Sequence, residues 1–384
     1  MLNSFRSLLP LILLVCFASP PLCADKKKKP SDEDGMIPEV STKPKKKKKG
    51  DEETQTLPPP KEAPSAVLVD TDRLFFQISP LSAKGLLSAQ TREAMRTLLR
   101  SNHGLNIVKL RAFVAGSGDM RRIQEIAGEV FAEKHVPLPT LTVVQVGALP
   151  LEGAQVIIES TGVEKKPVNP DGLAFLSGQA ANSVEQSVVK LRSALSGAGM
   201  ESADVLRVTC FVSSLEESKT GRTALDSAFP SAAVNVVQMQ RLPVTPASEC
   251  EAVARLRIKS EQDITFLNPS GLEPSPNYSQ LTLVRAPKIV FSSMQMAFGS
   301  QEADINLAFE RLQRALGSLN ANLGNLAMSH YYLTSMAVAD RVRAVRKSFY
   351  SAEHPPASTL LPFEALPSLD ASLGIDVIAV PTTH

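Results

Sequence analysis

One arrangement of segments occurs three times in this chain of 384 residues, and it limits the possible folds more than any other feature. In each copy an apolar segment with a serine near its end is followed by an amphipathic segment, an apolar strand and a late leucine. The serine, strand and leucine positions are Ser79, Phe113 and Leu149 in the first copy, Ser177, Phe211 and Leu242 in the second, and Ser293, Leu333 and Leu366 in the third. The serine and the leucine lie 70, 65 and 73 residues apart, so one structural unit with variable loops explains all three copies.

The periodicity within each copy alternates between strand and helix patterns. In the second copy Val184, Val188, Leu191 and Leu195 recur at helical spacing, and Ser183 with a glutamine three residues later predicts a capping box. In the first copy residues 66–69 and 74–78 are predicted to pair as a β-hairpin. The predicted fold class is α+β: three tandem β-β-α-β-α-β-β units, each with two helices on one face of a mixed sheet.

The first 64 residues differ in composition from the rest. Residues 1–24 combine Arg6 with an apolar run at 8–17 that is too short to span a bilayer, which is typical of a cleaved secretory signal. A lipoprotein signal is less consistent, because a bulky residue precedes both Cys16 and Cys23. We therefore expect export to a periplasmic or extracellular location. The predicted boundaries are a signal peptide at 1–24, a linker at 25–64, and the three units at 65–160, 161–260 and 261–384.

The linker at 25–64 carries 11 lysines and 9 acidic residues in blocks. Such a segment buries too little apolar surface to offset its ordering entropy, so it is predicted to be disordered. Its lysine clusters could tether the protein electrostatically to an anionic envelope surface, and a simple solvated linker is the alternative. The remaining 320 residues have a net charge near −1 and no tryptophan, so we expect no nucleic-acid partner and no membrane span.

Two cysteines remain after removal of the signal. Cys210 and Cys250 both lie in strand patterns of the second copy. The favoured interpretation is two small buried apolar side chains, and a disulfide bond stays open as the alternative.

Three short motifs resemble the RidA/YjgF family, the reactive intermediate deaminases once called L-PSP endoribonucleases. They are Phe175-Leu176-Ser177-Gly178-Gln179, Arg241-Leu242-Pro243 and Tyr278-Ser279-Gln280. The resemblance covers nearly all of residues 66–380 and is faintest in the first copy. The family is typically trimeric, with ligand sites in the clefts between subunits. Three similar copies in one chain therefore imply an intramolecular pseudo-trimer, a monomeric core and three clefts that are no longer equivalent. Chorismatases resemble this architecture too.

The resemblance also implies where a carboxylate-binding arginine should lie, eight residues before the Leu-Pro dipeptide. Leu141, Val234 and Ser358 occupy these positions. A guanidinium binds a carboxylate through two parallel N–H donors, which none of these side chains can supply. The sequence therefore predicts that the family's imino-acid deaminase activity is absent, unless Arg241, Arg207 or Arg285 reaches the cleft from another position.

The family's strand-borne glutamate, which helps to position water, is matched by Glu249, with Glu251 on the same strand face. The first copy offers Val156 with Glu159 further along, and in the third the acid is displaced to Asp376. We expect Glu249 to be the catalytic candidate. The expected ligand-binding residues are Ser177, Gly178, Tyr278, Arg241 and Ser358.

The predicted function is binding of a small metabolite in a cleft between units. The alternative is an imine or enamine deaminase, or a related hydrolase, that uses Glu249 to orient water. A third possibility is an envelope-associated protein held by its lysine-rich segment. The five histidines show no ligand spacing and no phosphate-binding glycine loop follows a strand, so neither a metal nor a cofactor is expected.

Overall fold

The computed structural model describes residues 62–102, 105–216, 218–241 and 247–382, which belong to one compact unit. The predicted signal peptide at 1–24 lies outside the described residues, as does the linker at 25–64 apart from its last three residues. The predictions of export, disorder and tethering therefore have no structural counterpart here.

The helix predicted for the second copy is present, and the described residues form five other α-helices. In chain order the helices are α1 (Leu87–Ser101), α2 (Arg121–Glu133), α3 (Val184–Gly197), α4 (Ser218–Ala228), α5 (Glu302–Gly317) and α6 (Ala339–Arg346). All four stripe residues of α3 are buried, and the backbone N–H of Gln186 donates to the Ser183 hydroxyl across 3.4 Å. The second half of the predicted capping box is shifted by one residue, because the Gln186 side chain accepts from the N–H of Asn182.

The strands form three sheets. The strands are β1 (Ala66–Asp70), β2 (Leu74–Ile78), β3 (Ile107–Ala115), β4 (Thr140–Val146), β5 (Val156–Val163), β6 (Leu173–Ala181), β7 (Val205–Val212), β8 (Ala233–Gln238), β9 (Ser248–Arg255), β10 (Ile264–Leu267), β11 (Leu281–Val284), β12 (Lys288–Ser292), β13 (Gln295–Phe298), β14 (Leu326–Leu333), β15 (Ala357–Pro362) and β16 (Ala371–Ala379). Four strands recur in the same order: β2-β5-β3-β4 in the first sheet, β6-β9-β7-β8 in the second and β12-β16-β14-β15 in the third. In each sheet the first two pairings are antiparallel and the last is parallel. The predicted mixed α+β class with helices against sheets is thus confirmed.

The predicted hairpin of β1 and β2 is wrong, because the two strands join different sheets. β1 pairs with β12 of the third sheet, and β2 pairs with β5 of the first. A tight hairpin usually needs a turn with positive φ angles. Residues 71–73 instead form a 3₁₀ turn without positive φ, and the N–H of Thr71 donates to the carbonyl of Pro287. The next pair separates in the same way, since β11 adds to β6 of the second sheet rather than to β12.

The hydrophobic core has two kinds of layer. Each sheet has one cluster between it and its own helices. These three clusters contain the apolar helix faces together with alternate strand residues. Two further clusters draw side chains from all three sheets, one around Phe175 and Phe291 and the other around Phe113, Phe211 and Phe363. The inner faces of the three sheets therefore pack against one another.

Cys210 and Cys250 form a disulfide bond, so the favoured interpretation of two free buried thiols is wrong. They lie directly opposite each other on β7 and β9, with Cα atoms 4.1 Å apart. Both side chains are fully buried beneath α3 and α4. The sequence shows that both are strand residues, but only the register places them opposite each other.

Candidate functional site

A cleft of about 320 Å³ opens between the second sheet and the third. Its lining residues are Gly178, Ala180, Glu249, Ser275, Asn277, Tyr278, Arg343, Arg346, Ser358 and Leu360. Four of the six site residues expected from the sequence thus come together in one place.

Ser177 lies directly behind this lining and joins the two sheets. Its buried hydroxyl donates to the carbonyl of Ser279 across 2.6 Å and accepts from the N–H of Ser358 across 2.8 Å. The predicted ligand-binding serine is therefore a structural connector that fixes β15 against β6.

The structure does not bring Arg241 to the cleft. Its guanidinium Nε donates to the carbonyl of Gly147, and its backbone N–H donates to Glu364. Arg207 and Arg285 also lie elsewhere: Arg207 sits in a buried charged cluster, and Arg285 donates to the carbonyl of Ile258. None of the three arginines that sequence reasoning considered replaces the missing clamp.

Gly178 makes room for the side chain of Glu249. The β6–β9 ladder shifts register between Leu176 and Gln179, so Gly178 lies at a bulge. A Cβ atom on Gly178 would lie 2.6 Å from both Cγ and Cδ of Glu249, which is closer than real contacts allow. A side chain at position 178 would therefore force the side chain of Glu249 to move.

Glu249 is a carboxyl group with an unusual protonation state. Burial raises its pKa to about 8, and repulsion from Glu251 contributes to the same shift. Among the described residues no ion pair or hydrogen bond engages its carboxyl group. Near neutral pH this group is mostly protonated and can donate a proton into the cleft.

Tyr278 lines the cleft and is half-buried. Burial raises the pKa of its phenol, and the nearby Glu249 adds to that effect. It therefore stays a neutral hydrogen-bonding group over the working range of most proteins.

Two arginines that sequence reasoning missed line the cleft from α6. Arg346 is only 4% exposed, and its guanidinium lies 5.5 Å from the ring centre of Tyr331. No ion pair engages Arg346 among the described residues, whereas Arg343 pairs with Asp340 at 2.8 Å near the surface. The sequence does contain a pattern that predicts the burial of Arg346. The apolar stripe of Ala339, Val342 and Val345 places residue 346 at the edge of the buried helix face.

Glu251, two residues from Glu249, has the opposite protonation state. Its carboxylate lies 2.7 Å from Nη2 of Arg111 and 3.4 Å from Nε2 of His330. Burial alone would raise the pKa of Glu251, but the positive charge of Arg111 outweighs it and the pKa is strongly lowered. Neighbouring acids on one strand face thus serve as one neutral and one ionised group.

The strand register identifies the counterparts of Glu249 in the other sheets. Glu249 lies opposite Phe211, and the corresponding pairs are Ile157 opposite Phe113 and Gly374 opposite Tyr332. Among these three pairs, only Glu249 carries an acid.

Two predictions about the other copies change accordingly. In the first copy, Ile157 rather than Val156 occupies the position equivalent to Glu249. Glu159 and Asp376 instead correspond to Glu251. Each of these acids lies opposite the equivalent residue of the neighbouring strand: Glu159 opposite Arg111, Asp376 opposite His330 and Glu251 opposite Thr209.

The described residues contain no group of three or more His, Cys, Asp or Glu side chains placed to hold a metal ion. They also contain no helix long and apolar enough to cross a membrane.

Comparison with known proteins finds a match to part of the chain. Residues 270–381 match the family model Endoribonuclease L-PSP. No curated protein matches the chain.

Solved structures similar to about a third of the chain include a YjgF-family protein from Neisseria meningitidis, at 18% identity over 32% of this chain and 98% of that one, with a TM-score of 0.24. A Rid-family protein of unknown function from Yersinia pestis is 18% identical over 31% of this chain and 99% of that one, with a TM-score of 0.29. A putative endoribonuclease from Thermotoga maritima is 23% identical over 31% and 98%, with a TM-score of 0.23.

Proposed function

We propose that the whole chain is built from three similar units of the RidA/YjgF type. The premise is that residues 270–381, which match the Endoribonuclease L-PSP model, are one such unit. In this proposal the units form an intramolecular pseudo-trimer with a monomeric core, and the cleft between the second and third sheets binds a small anionic metabolite.

The recurring strand order supports the pseudo-trimer. The position eight residues before the Leu-Pro dipeptide recurs in the parallel pairings Leu110–Leu141, Val208–Val234 and Ser329–Ser358. Two of the junctions between sheets also contain an equivalent hydrogen bond from a backbone N–H to a serine hydroxyl. The hydroxyl of Ser177 accepts from the N–H of Ser358, and that of Ser293 accepts from the N–H of Leu141 across 2.9 Å.

The observation that carries the ligand proposal is Arg346, a buried cation without an ionic partner in the described residues. Burying a charge costs free energy unless an opposite charge or hydrogen bonds compensate it. Arg346 faces the same cleft as Glu249, whose carboxyl is mostly neutral near pH 7 and leaves the cation uncompensated. A carboxylate or similar anion would supply the missing partner through two parallel N–H donors.

This arrangement revises the argument from the absent family arginine. Ser358 lines the cleft at the expected position, so the arginine is absent there. Arg346 and Arg343 nevertheless bring guanidinium groups to the same cleft from α6. The loss of an arginine on β15 therefore does not leave the cleft without a cation.

Calorimetric titration of the full chain with a panel of small 2-oxo acids and their methyl esters tests this proposal. We expect the acids to bind and the esters to bind at least about tenfold more weakly, since a charge-assisted hydrogen bond contributes 1.5–3 kcal/mol. Arg346→Met should lose the discrimination. Arg341→Met, on the same helix but exposed and with its guanidinium bonded to the carbonyl of Ser300, should keep it. Equal affinity of acids and esters for the wild-type chain would contradict the proposal.

Hydrolysis of an imine or enamine is a second candidate function, and the raised pKa of Glu249 favours it. In this reaction water adds to the imine carbon, the C–N bond breaks and ammonia leaves. A mostly protonated carboxyl can donate a proton to the imine nitrogen, and its ionised form can accept one from water. Turnover of generated imines by the wild-type chain and its loss in Glu249→Ala would support this function. Absence of turnover across imines with and without a carboxylate would remove it.

Export and tethering remain proposals that rest on the sequence of residues 1–64. Binding of the chain to anionic vesicles, compared with a variant that lacks residues 25–61, tests the tether. Equal binding of the two would exclude a role for the lysine clusters.

A further inference from the structure

The inner faces of the three sheets meet around a buried cluster of charged side chains that the proposed ligand cleft does not use. Its members are Lys109, Arg111 and Glu159 from the first sheet, Arg207 and Glu251 from the second, and His330 and Asp376 from the third. Each is at most 8% exposed. Seven titratable groups in one dry region need close charge balance.

The three acids of this cluster are ionised. Burial alone would raise their pKa values, but the neighbouring cations outweigh it and the pKa of each is lowered. Arg111 donates to Glu159 across 2.8 Å and to Glu251 across 2.7 Å. Asp376 lies 2.8 Å from Nδ1 of His330 and 3.4 Å from Nζ of Lys109.

The cations exceed the acids. Lys109, Arg111 and Arg207 equal the three carboxylates in number before His330 is counted, although burial lowers the pKa values of Lys109 and Arg207. Burial alone would lower the pKa of His330, but Glu251 and Asp376 outweigh it and raise the value. With His330 protonated, the cluster carries one positive charge more than the acids neutralise.

Three N–H donors of these cations have no hydrogen-bond acceptor among the described residues. They are Nη1 of Arg111, Nε of Arg207 and Nε2 of His330, although the last lies 3.4 Å from the Glu251 carboxylate in an ion pair. Arg207 is also poorly compensated, since its closest approaches to Glu159 and Glu251 are 3.8 and 3.7 Å. Glu251 Oε2 lacks a donor as well, but Glu251 is not part of the lining described next.

A small cavity lies among these donors. It has a volume of about 20 Å³, and its charged lining residues are the cations Lys109, Arg111, Arg207 and His330 together with the carboxylates Glu159 and Asp376. A space of this size holds one water-sized occupant. We propose that the cavity is a binding site for a single monovalent anion of the halide class, held by Arg111, Arg207 and His330.

An anion fits this cavity better than the alternatives. A water molecule could accept from the free donors but would leave the excess charge uncompensated. Sulfate, phosphate and carboxylate ligands are too large for a cavity that admits one small particle. A cation fits less well, because four of the six charged lining residues are themselves cations. The site is independent of the proposed ligand cleft, and it would stabilise the junction of all three sheets.

Thermal unfolding of the full chain in chloride, bromide and gluconate at constant ionic strength tests the proposal. Because an occupant that binds only the folded state stabilises it, we expect Tm to rise by about 2–4 °C and to saturate as chloride or bromide replaces gluconate. Sulfate should act like gluconate. Equal Tm values in all four salts would overturn the proposal.

Two variants locate the effect. His330→Gln and Arg207→Met each remove the excess charge, so both should lose the chloride dependence of Tm. Arg222→Gln is the matched control, because Arg222 is exposed and pairs with Asp226 at 2.8 Å, and it should retain the dependence. If the cluster variants fail to fold, anomalous diffraction from wild-type crystals soaked in bromide tests directly whether the cavity binds a halide. A peak among Arg111, Arg207 and His330 supports the site, and its absence there overturns it.

Discussion

At the scale of single residues, β9 places two glutamates with opposite protonation states two positions apart. Glu249 faces the cleft without a cationic partner, so burial keeps it protonated. Glu251 faces the inner charged cluster, where Arg111 keeps it ionised. The difference arises from neighbours on other strands, and the residue types alone do not indicate it.

The raised pKa of Glu249 predicts how stability depends on pH. Between pH 4.5 and about 8 the folded state keeps this proton while the unfolded state has released it. The free energy of unfolding should therefore fall as pH rises through this window, by at most about 1.4 kcal/mol per pH unit. Glu249→Gln does not titrate, so it should match the wild type near pH 4 and become progressively more stable than it towards pH 8.

Urea unfolding at pH 4, 6 and 8 measures this difference. Glu353→Gln, an exposed control, should follow the wild type throughout. A constant offset between Glu249→Gln and the wild type at all three pH values would show that the carboxyl is not shifted.

The close contact between Gly178 and Glu249 predicts a specific coupling. Gly178→Ala should destabilise the protein by about 1–3 kcal/mol, because the new Cβ overlaps the Glu249 side chain. In a Glu249→Ala background the same change should cost less than about 1 kcal/mol, since the obstructing atoms are gone. A double-mutant cycle by urea unfolding measures the coupling. Gly317→Ala, where a Cβ meets no atom within 4 Å, provides the control.

At the scale of secondary-structure elements, the helices follow directly from their stripes, whereas strand partners do not. The predicted core face of α3 is buried, because an amphipathic helix has one face to bury. A strand can pair on either edge with any neighbour, so the hairpin expected for β1 and β2 was a locally reasonable but wrong choice.

The disulfide between β7 and β9 predicts a large contribution to stability. It closes a loop with a sequence separation of 40 residues. The chain-entropy treatment of such a cross-link gives about 3–4 kcal/mol of unfolding free energy. Cys210→Ala/Cys250→Ala should unfold at correspondingly lower urea concentration, and wild-type protein refolded under strong reductant should behave alike. Unchanged unfolding of the double variant would mean that the bond constrains nothing.

At the scale of the whole molecule, β1 connects the start of the described chain to the third sheet. Residues 66–70 pair with residues 288–292, and Asp70 also pairs with Lys288 at 2.9 Å. The first and third sheets are therefore held together by chain continuity as well as by side-chain packing.

Removal of β1 tests this architecture. A variant that begins after Asp70 should lose several degrees of Tm and associate through the exposed edge of β12, since open strand edges pair with other chains. A variant that begins after Lys61 loses only residues outside the described part and should keep the wild-type Tm and size. Thermal unfolding with light scattering measures both. Identical behaviour of the two truncations would show that β1 adds nothing to the third sheet.

The sequence by itself determined the α+β class and the helix of the second copy, because both follow from local periodicity. The choice of Gly178, Glu249, Tyr278 and Ser358 as site residues came from the resemblance to the RidA/YjgF family. The tertiary structure alone decided that β1 leaves its neighbour, that Cys210 meets Cys250 and that Arg346 enters the cleft. It also decided that Glu251 meets Arg111, 140 positions away. Such contacts depend on which strands become neighbours, and the protonation of each acid depends in turn on those neighbours.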